Sequence, residues 1–155
     1  MVTLPSKIED WFTARGWQVH PHQHAMLARA EDPALLLIAP TGGGKTLAGC
    51  LPTLVGLADG EHRGLHTLYI SPLKALAADI KRNLGTPIAE MGLPIRVEDR
   101  TGDTSATAKK RQRADPPHIL LTTPESLALL LSYEDAPRMF AGLQRVVVDE
   151  IHALA

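Results

Sequence analysis

The sequence predicts an α/β fold in which helices cover both faces of a parallel sheet. Short apolar runs alternate along the chain with segments whose apolar residues recur at helical spacing. The composition is 45% hydrophobic but only 4% aromatic, which is typical of aliphatic strands buried on both faces. Right-handed crossovers between such strands would give a three-layer α/β sandwich that binds ligands at the carboxyl ends of the strands.

Five apolar runs are the candidate strands. They cover residues 35–38, 67–70, 95–97, 119–121 and 146–148. The run at 95–97 is the least regular because Arg96 interrupts it. The chain of 155 residues is long enough to bury these strands in one domain with a substantial core.

Helices are predicted between the strands, where apolar residues form stripes that we expect to be core. Pro52 interrupts the first helix and should kink or stop it early, whereas Pro124 suits a first helical turn. Residues 102–115 are polar and predict a loop with a short solvated helix. The stripes consist of Leu47, Cys50, Leu51 and Leu54, then Leu76, Ile80 and Leu84, then Leu127, Leu130 and Leu131.

A phosphate-binding turn is predicted at residues 39–46, which read APTGGGKT and follow the apolar run at 35–38. Backbone N–H groups of a glycine-rich turn converge on phosphate oxygens, and the positive end of the following helix adds attraction. In the Walker A pattern the Lys45 ammonium reaches the terminal phosphates and the Thr46 hydroxyl binds Mg²⁺. Ala39 stands where the pattern has its first glycine. The alternative is a plain glycine turn before a helix.

A second nucleotide motif is predicted where the valine run at 146–148 ends in Asp149 and Glu150. Asp149 would join the Mg²⁺ shell that Thr46 also serves, and Glu150 would activate the attacking water as a general base. An acidic pair after a buried strand is ordinary by itself. The acidic pair indicates a nucleotide site only in combination with the first motif, because we expect Lys45 and these carboxylates to meet around one triphosphate.

Charge and histidine patterns narrow the class of protein. The net charge of −1 gives no global footprint for nucleic acid, so any such binding must be local. The lone Cys50 excludes an internal disulfide framework, and together with the lack of a leader it predicts a cytoplasmic protein. The lack of a membrane-length apolar run predicts that the protein makes no membrane contact. The histidines at 20, 22 and 24 have no cysteine or carboxylate at a recognisable ligand spacing, which argues against a metal site. The basic run at 109–113 has no interleaved aromatic residues for base stacking, which favours a solvated surface over a DNA patch.

Four segments together resemble the motifs of superfamily 2 helicases. APTGGGKT resembles motif I, SPLKAL at 71–76 motif Ia, TTPESL at 122–127 motif Ib, and DEIH at 149–152 a DExH-type motif II. The SPLKALAADI, RTGDT and VVVDEIHALA segments are similar to the large helicase-related branch. Trp11-Phe12 and Arg15-Gly16-Trp17 resemble the ligase-associated DNA DExH-box helicases, a bacterial subgroup implied to act in DNA repair.

The resemblance implies a role for each matching residue. Gln23 would bind the adenine edge, with Trp17 near the base, and His152 would couple the nucleotide site to a second motor lobe. Lys45, Asp149 and Glu150 would be catalytic, and Thr46 and Asp149 would hold Mg²⁺. The implied nucleotide-binding set is Gln23, Thr41, Gly42, Gly43, Gly44, Lys45 and Thr46. The implied nucleic-acid track is Ser71, Lys74, Thr101, Gly102, Thr123 and Pro124, which could instead end strands and cap helices.

The resemblance thus implies that residues 1–155 are the N-terminal RecA-like ATP-binding lobe of an ATP-dependent DNA helicase or translocase. The chain would end soon after motif II, without the second lobe, so its sheet could have an exposed edge and its ATP turnover alone should be weak. ATP and Mg²⁺ are the implied cofactors. Single-stranded or 3′-tailed duplex DNA and ligase or nuclease repair proteins are the implied partners. Two alternatives remain open, namely a nucleotide-binding module without turnover and an RNA-directed DExH helicase.

Overall fold

The computed structural model describes residues 2–40 and 44–154, and within them helices and strands alternate along most of the chain. Two short helices precede the glycine-rich turn, and a 3₁₀ helix over Ile151–Leu154 follows the last strand. The helices are α1 (Ser6–Ala14), α2 (Pro21–Ala28), α3 (Lys45–Leu57), α4 (Lys74–Met91), α5 (Ala106–Ala114), α6 (Pro124–Leu131) and α7 (Ala136–Met139). The strands are β1 (Thr67–Ile70), β2 (Val97–Arg100), β3 (Ile119–Thr122) and β4 (Arg145–Val148).

The four strands form one parallel sheet in the order β2-β3-β1-β4. Parallel strands end at the same edge of a sheet, so the residues that follow them lie in a row. Across the sheet that row is Thr101, Thr123, Ser71 and Asp149. The fold therefore places three of the predicted nucleic-acid residues and one predicted magnesium ligand along a single edge.

Helices cover both faces of this sheet, as predicted. On one face α1, α3 and α4 pack around Tyr69, Ile119 and Leu121 in the larger core. On the other face α6 and α7 pack around Leu68 and Leu120 in a smaller core. The predicted apolar stripes of α3 and α4 lie in this core through Cys50, Leu51 and Leu54 of α3 and Ile80 and Leu84 of α4. The observed arrangement is the three-layer α/β sandwich.

The predicted strand at residues 35–38 is wrong. The segment is not hydrogen-bonded into the sheet, and among the described strands β4 pairs only with β1. Leu36 and Ile38 are 73% and 86% exposed. Apolar character favours burial, but a strand also needs a neighbour for its N–H and C=O groups, and no described strand pairs with this segment. Val146 and Val148 on β4 are also exposed, as expected for the edge of a sheet.

Three local expectations also need correction. The helix that contains Pro52 does not stop early but continues to Leu57. Leu131, expected in the core, is 56% exposed, whereas Leu130 of the same helix is fully buried. The strand expected at 95–97 begins at Val97 and continues through charged residues to Arg100.

Other expectations are confirmed. The polar segment at 102–115 contains α5, and Pro124 begins α6. Across residues 2–40 and 44–154, no helix is both long enough and apolar enough to span a membrane.

Candidate nucleotide and nucleic-acid site

Gly44, at the end of the glycine-rich turn, occupies a position that strongly favours glycine. Thr41, Gly42 and Gly43 lie outside the described residues. Gly44 caps the start of α3 with φ +73°, a left-handed conformation that side chains rarely adopt. A Cβ atom there would also lie 3.1 Å from Nε2 of Gln23. Lys45 and Thr46 follow as the first residues of α3. The free backbone N–H groups at this helix amino terminus can therefore bind an anion such as a phosphate.

Gln23 lies beside this turn. It is 2% exposed, and its Oε1 accepts a hydrogen bond of 2.8 Å from the backbone N–H of His20. That bond belongs to a capping box at the start of α2, which packs against α3. The amide group of Gln23 is therefore held in one orientation next to Gly44.

Trp17, expected near the base, is 54% exposed and packs against α1. Its ring lies 5.6 Å from that of Trp11, and the Arg15 guanidinium lies over both rings. Glu90 of α4 accepts a 2.7 Å hydrogen bond from Trp11 Nε1 and pairs with Arg15. These contacts anchor Trp17 to the α1–α4 contact.

Asp149 is held at both carboxylate oxygens. Its Oδ2 accepts a hydrogen bond of 2.9 Å from the hydroxyl of Tyr69, and its Oδ1 accepts one of 2.9 Å from the backbone N–H of Glu150. Burial raises the pKa of Tyr69 far above its ordinary value, and Cys50 and Asp149 raise it further. The Thr46 hydroxyl is close enough to lower the same pKa. Helix α3, whose first turn carries Thr46, packs against β4, at whose end Asp149 lies.

Tyr69 was not among the candidates from the sequence. In the parallel register it pairs with Val147, and Asp149 follows two residues later, so both side chains lie on the same face of the sheet. The only local signal is a single aromatic residue in a short aliphatic strand. Its partner lies 80 residues away and could not be identified without the strand order.

Glu150 has an unusual backbone. Its φ is +50°, and no other non-glycine residue in the described ranges has a positive φ. Such conformations cost about 1–3 kcal/mol and often mark functional positions. The Glu150 carboxylate lies 3.2 Å from Nε2 of His152, whose side chain is 78% exposed. The two residues assigned to water activation and coupling are thus in contact.

The predicted nucleic-acid residues fall into two groups. Lys74 begins α4 and is exposed, but its ammonium pairs with the Asp103 carboxylate at 3.1 Å. Gly102 lies in the same exposed turn as Asp103. This ion pair joins the loop after β1 to the loop after β2.

The hydroxyl residues of the second group are buried and have partners within the chain. The Thr101 hydroxyl accepts a bond of 3.2 Å from the Asp103 N–H, and Thr123 caps α6 by accepting from the Ser126 N–H. Ser71 is fully buried, and its N–H donates to Thr122. Their side chains therefore shape these loops, and the exposed Lys74 ammonium is the accessible charge.

The residues at the end of β4 suit a magnesium nucleotide. Mg²⁺ prefers oxygen ligands and is usually bound through one or two protein groups together with phosphates. The Thr46 hydroxyl and the Asp149 carboxylate supply such oxygens, and a Cβ at Gly44, directly before Lys45, would crowd the Gln23 amide. In the described part of the chain, no group of three or more His, Cys, Asp or Glu side chains could hold a metal. The site therefore fits Mg²⁺ with its phosphates rather than a metal cage built from protein alone.

Comparison with known proteins places the chain among helicases. Residues 20–155 match the DEAD/DEAH box helicase family. The Lhr helicase/probable uracil glycosylase of Mycolicibacterium smegmatis is 42% identical over 94% of this chain, and ATP-dependent helicase Lhr-Core of Methanocaldococcus jannaschii is 37% identical over 97%. The chain spans 11% and 20% of these two relatives.

A solved structure gives the same result. The Mycobacterium smegmatis helicase Lhr bound to ssDNA and AMP-PNP is 41% identical, with a TM-score of 0.87, over 98% of this chain and 21% of that one. The RecA-like fold implied by the resemblance is therefore confirmed. The relatives bear the Lhr name, so the narrower ligase-associated subgroup stays a prediction.

Proposed function

The chain belongs to the DEAD/DEAH box helicase family, and on that basis we propose that it is the ATP-binding first motor lobe of an Lhr-type ATP-dependent DNA helicase. One observation carries the nucleotide half of this proposal. Helix α3, which begins with Lys45 and Thr46 of the first nucleotide motif, packs against β4, at whose end Asp149 of the second motif lies. The loops proposed to contact nucleic acid begin at the same edge of the sheet.

Each residue at this edge has a specific task in the proposed reaction. Lys45 neutralises charge on the terminal phosphates. It lies at the start of α3, where the positive end of the helix dipole attracts the same phosphates. Mg²⁺, held through Thr46 and Asp149, would supply further charge neutralisation on the phosphates. The Glu150 carboxylate accepts a proton from the attacking water, and its contact with His152 links it to the following turn.

The nucleic-acid half of the proposal rests on local charge. Lys74 is exposed, and the backbone N–H groups around Gly102 and at the start of α6 offer donors to phosphates without reading bases. DNA is favoured as the substrate because the Lhr structure similar to this chain was solved with ssDNA. A role in DNA repair, with ligase or nuclease partners in the cytoplasm, is the narrower part of the proposal. Its support is the resemblance of Trp11-Phe12 and Arg15-Gly16-Trp17.

Nucleotide binding by this chain tests the first half. A fluorescent ATP analogue should bind in the presence of Mg²⁺, and Lys45→Ala should weaken that binding strongly. Glu150→Gln should leave binding intact, since it removes only the base. Lys110→Ala, on the exposed surface of α5, is the matched control. Equal binding by the Lys45→Ala variant and the control would contradict the proposal.

Turnover tests the second half. In a protein that joins this chain to a second motor lobe, ssDNA should stimulate ATP hydrolysis, and Glu150→Gln should abolish the stimulated rate. An ATPase rate indifferent to nucleic acid would refute the motor assignment. Competition between DNA and RNA strands of the same sequence would separate the DNA helicase from the RNA-directed alternative, because only RNA offers 2′-hydroxyls.

A further inference from the structure

The hydroxyl of Tyr69 is a buried polar group that the hydrophobic core does not need. Tyr69 is 2% exposed, and its ring packs in the larger core with Cys50 and Leu121. Phenylalanine would fill the same space without requiring a partner for a buried O–H group. The hydroxyl instead donates to Oδ2 of Asp149 at 2.9 Å. The polar atom is thus committed to the acidic residue of the second nucleotide motif.

Strand register explains why a tyrosine at this position can reach that carboxylate. Tyr69 lies opposite Val147 in the β1–β4 pair, so Asp149 is its diagonal neighbour on the same face. Diagonal neighbours are within reach of long aromatic side chains. The backbone N–H of Glu150 holds the other oxygen of the carboxylate. The Tyr69 hydroxyl and the N–H of the adjacent Glu150 therefore hold the Asp149 carboxylate at both of its oxygens.

We propose that Tyr69 is a positioning residue that orients the Asp149 carboxylate for binding Mg²⁺ with the nucleotide. The inference rests on the proposed function and extends it to a residue outside the recognised motifs. Partners of metal ligands set the ligand orientation, and their loss typically costs about 10–100-fold in metal affinity or activity.

Tyr69→Phe tests the proposal because it removes only the hydroxyl. The measurement is binding of a fluorescent ADP analogue, first in EDTA and then during a Mg²⁺ titration. We expect affinity in EDTA within about twofold of wild type, and a rise of about tenfold in the Mg²⁺ concentration needed for half-maximal enhancement. Tyr133→Phe is the matched control, since Tyr133 is 40% exposed and packs against Arg113 on the surface. An unchanged Mg²⁺ dependence in Tyr69→Phe would overturn the proposal.

A double-mutant cycle separates positioning from a structural role. If Tyr69 acts through Asp149, Tyr69→Phe should have no further effect on Mg²⁺ dependence in an Asp149→Asn background. An equal effect in both backgrounds would show that the hydroxyl acts elsewhere and would refute the proposal. A wild-type protein that binds no nucleotide would instead refute the proposed function itself.

A spectroscopic measurement keeps the proposal testable if Tyr69→Phe does not fold. The chain has two tyrosines, so Tyr133→Phe leaves Tyr69 as the single site for 3-fluorotyrosine. Its ¹⁹F resonance should shift when Mg²⁺ is added to the ADP complex, and the shift should be absent in Asp149→Asn. A resonance that does not respond to Mg²⁺ would contradict the proposal.

Discussion

Acid should destabilise this fold through one buried histidine, His66, beside the amino-terminal end of β1. His66 is 8% exposed, and its Nδ1 lies 2.8 Å from the hydroxyl of Thr67. Burial, followed by the nearby His62, Arg145 and His118, lowers the pKa of His66 from 6.5 to about 4. The His66 imidazole is therefore protonated at a lower pH in the folded protein than in the unfolded chain.

The sign and size of the effect follow from these two pKa values. Because the folded-state pKa is the lower one, the contribution to stability is complete above pH 6.5 and is lost as the pH falls towards 4. Between pH 7 and pH 5 the linkage relation gives a loss of about 2 kcal/mol in the free energy of unfolding from this group alone. That is a large fraction of the total stability of a small domain.

Urea unfolding at pH 7 and pH 5 measures this loss, and His66→Asn isolates it. The asparagine amide can replace Nδ1 as the partner of Thr67 but does not titrate. We expect wild type to lose about 2 kcal/mol more than the variant between the two pH values. His24→Asn, at an exposed position, controls for the general effect of removing a histidine and should behave as wild type. Equal losses in wild type and His66→Asn would refute the assignment to His66.

Two further predictions concern strand β2 and the loop that follows it. Asp103→Asn frees the Lys74 ammonium from its exposed ion pair and should raise ssDNA affinity about two- to fivefold at low salt. Because salt screens this interaction, the gain should vanish at high salt. The control is Asp10→Asn on α1, and the same gain in that variant would contradict the prediction. Arg100 is 2% exposed and donates to the Lys109 carbonyl and to Gln112 of α5, so Arg100→Met should lower the free energy of unfolding by about 1–3 kcal/mol in urea. Exposed Arg82→Met is its control, and an equal change in both variants would show that the buried bonds contribute nothing.

Elements with a local cause were predictable from the sequence. The strand at residues 67–70 was predicted at its observed bounds, because both faces of β1 are covered and apolar or aromatic residues follow Thr67 at every position. Helix α3 was predicted because glycine precedes it and apolar residues recur at helical spacing. Pro52 did not end it, since the tertiary packing of the buried face of this helix outweighs the loss of one backbone hydrogen bond.

Features with a distant cause were not predictable. The run at 35–38 has the composition of a strand, but pairing depends on a neighbour that local sequence does not specify. The Tyr69–Asp149 bond and the Lys74–Asp103 ion pair each depend on the order of strands in the sheet. The positive φ of Glu150 likewise has no signal in its residue type, since glutamate has no preference for that conformation.

The position of β1 suggests how the two proposed ligand sites communicate. β1 is four residues long and lies between β3 and β4. It presents Tyr69 to the Asp149 carboxylate and then continues through Ser71 to Lys74 at the start of α4. A shift of β4 against β1 on nucleotide binding would therefore reach the Ser71 loop through one short, hydrogen-bonded strand. Interfaces between packed elements shift between discrete arrangements. We therefore expect the coupling between ATP binding and nucleic-acid binding within this chain to depend on the β1–β4 contact rather than on the outer strand β2.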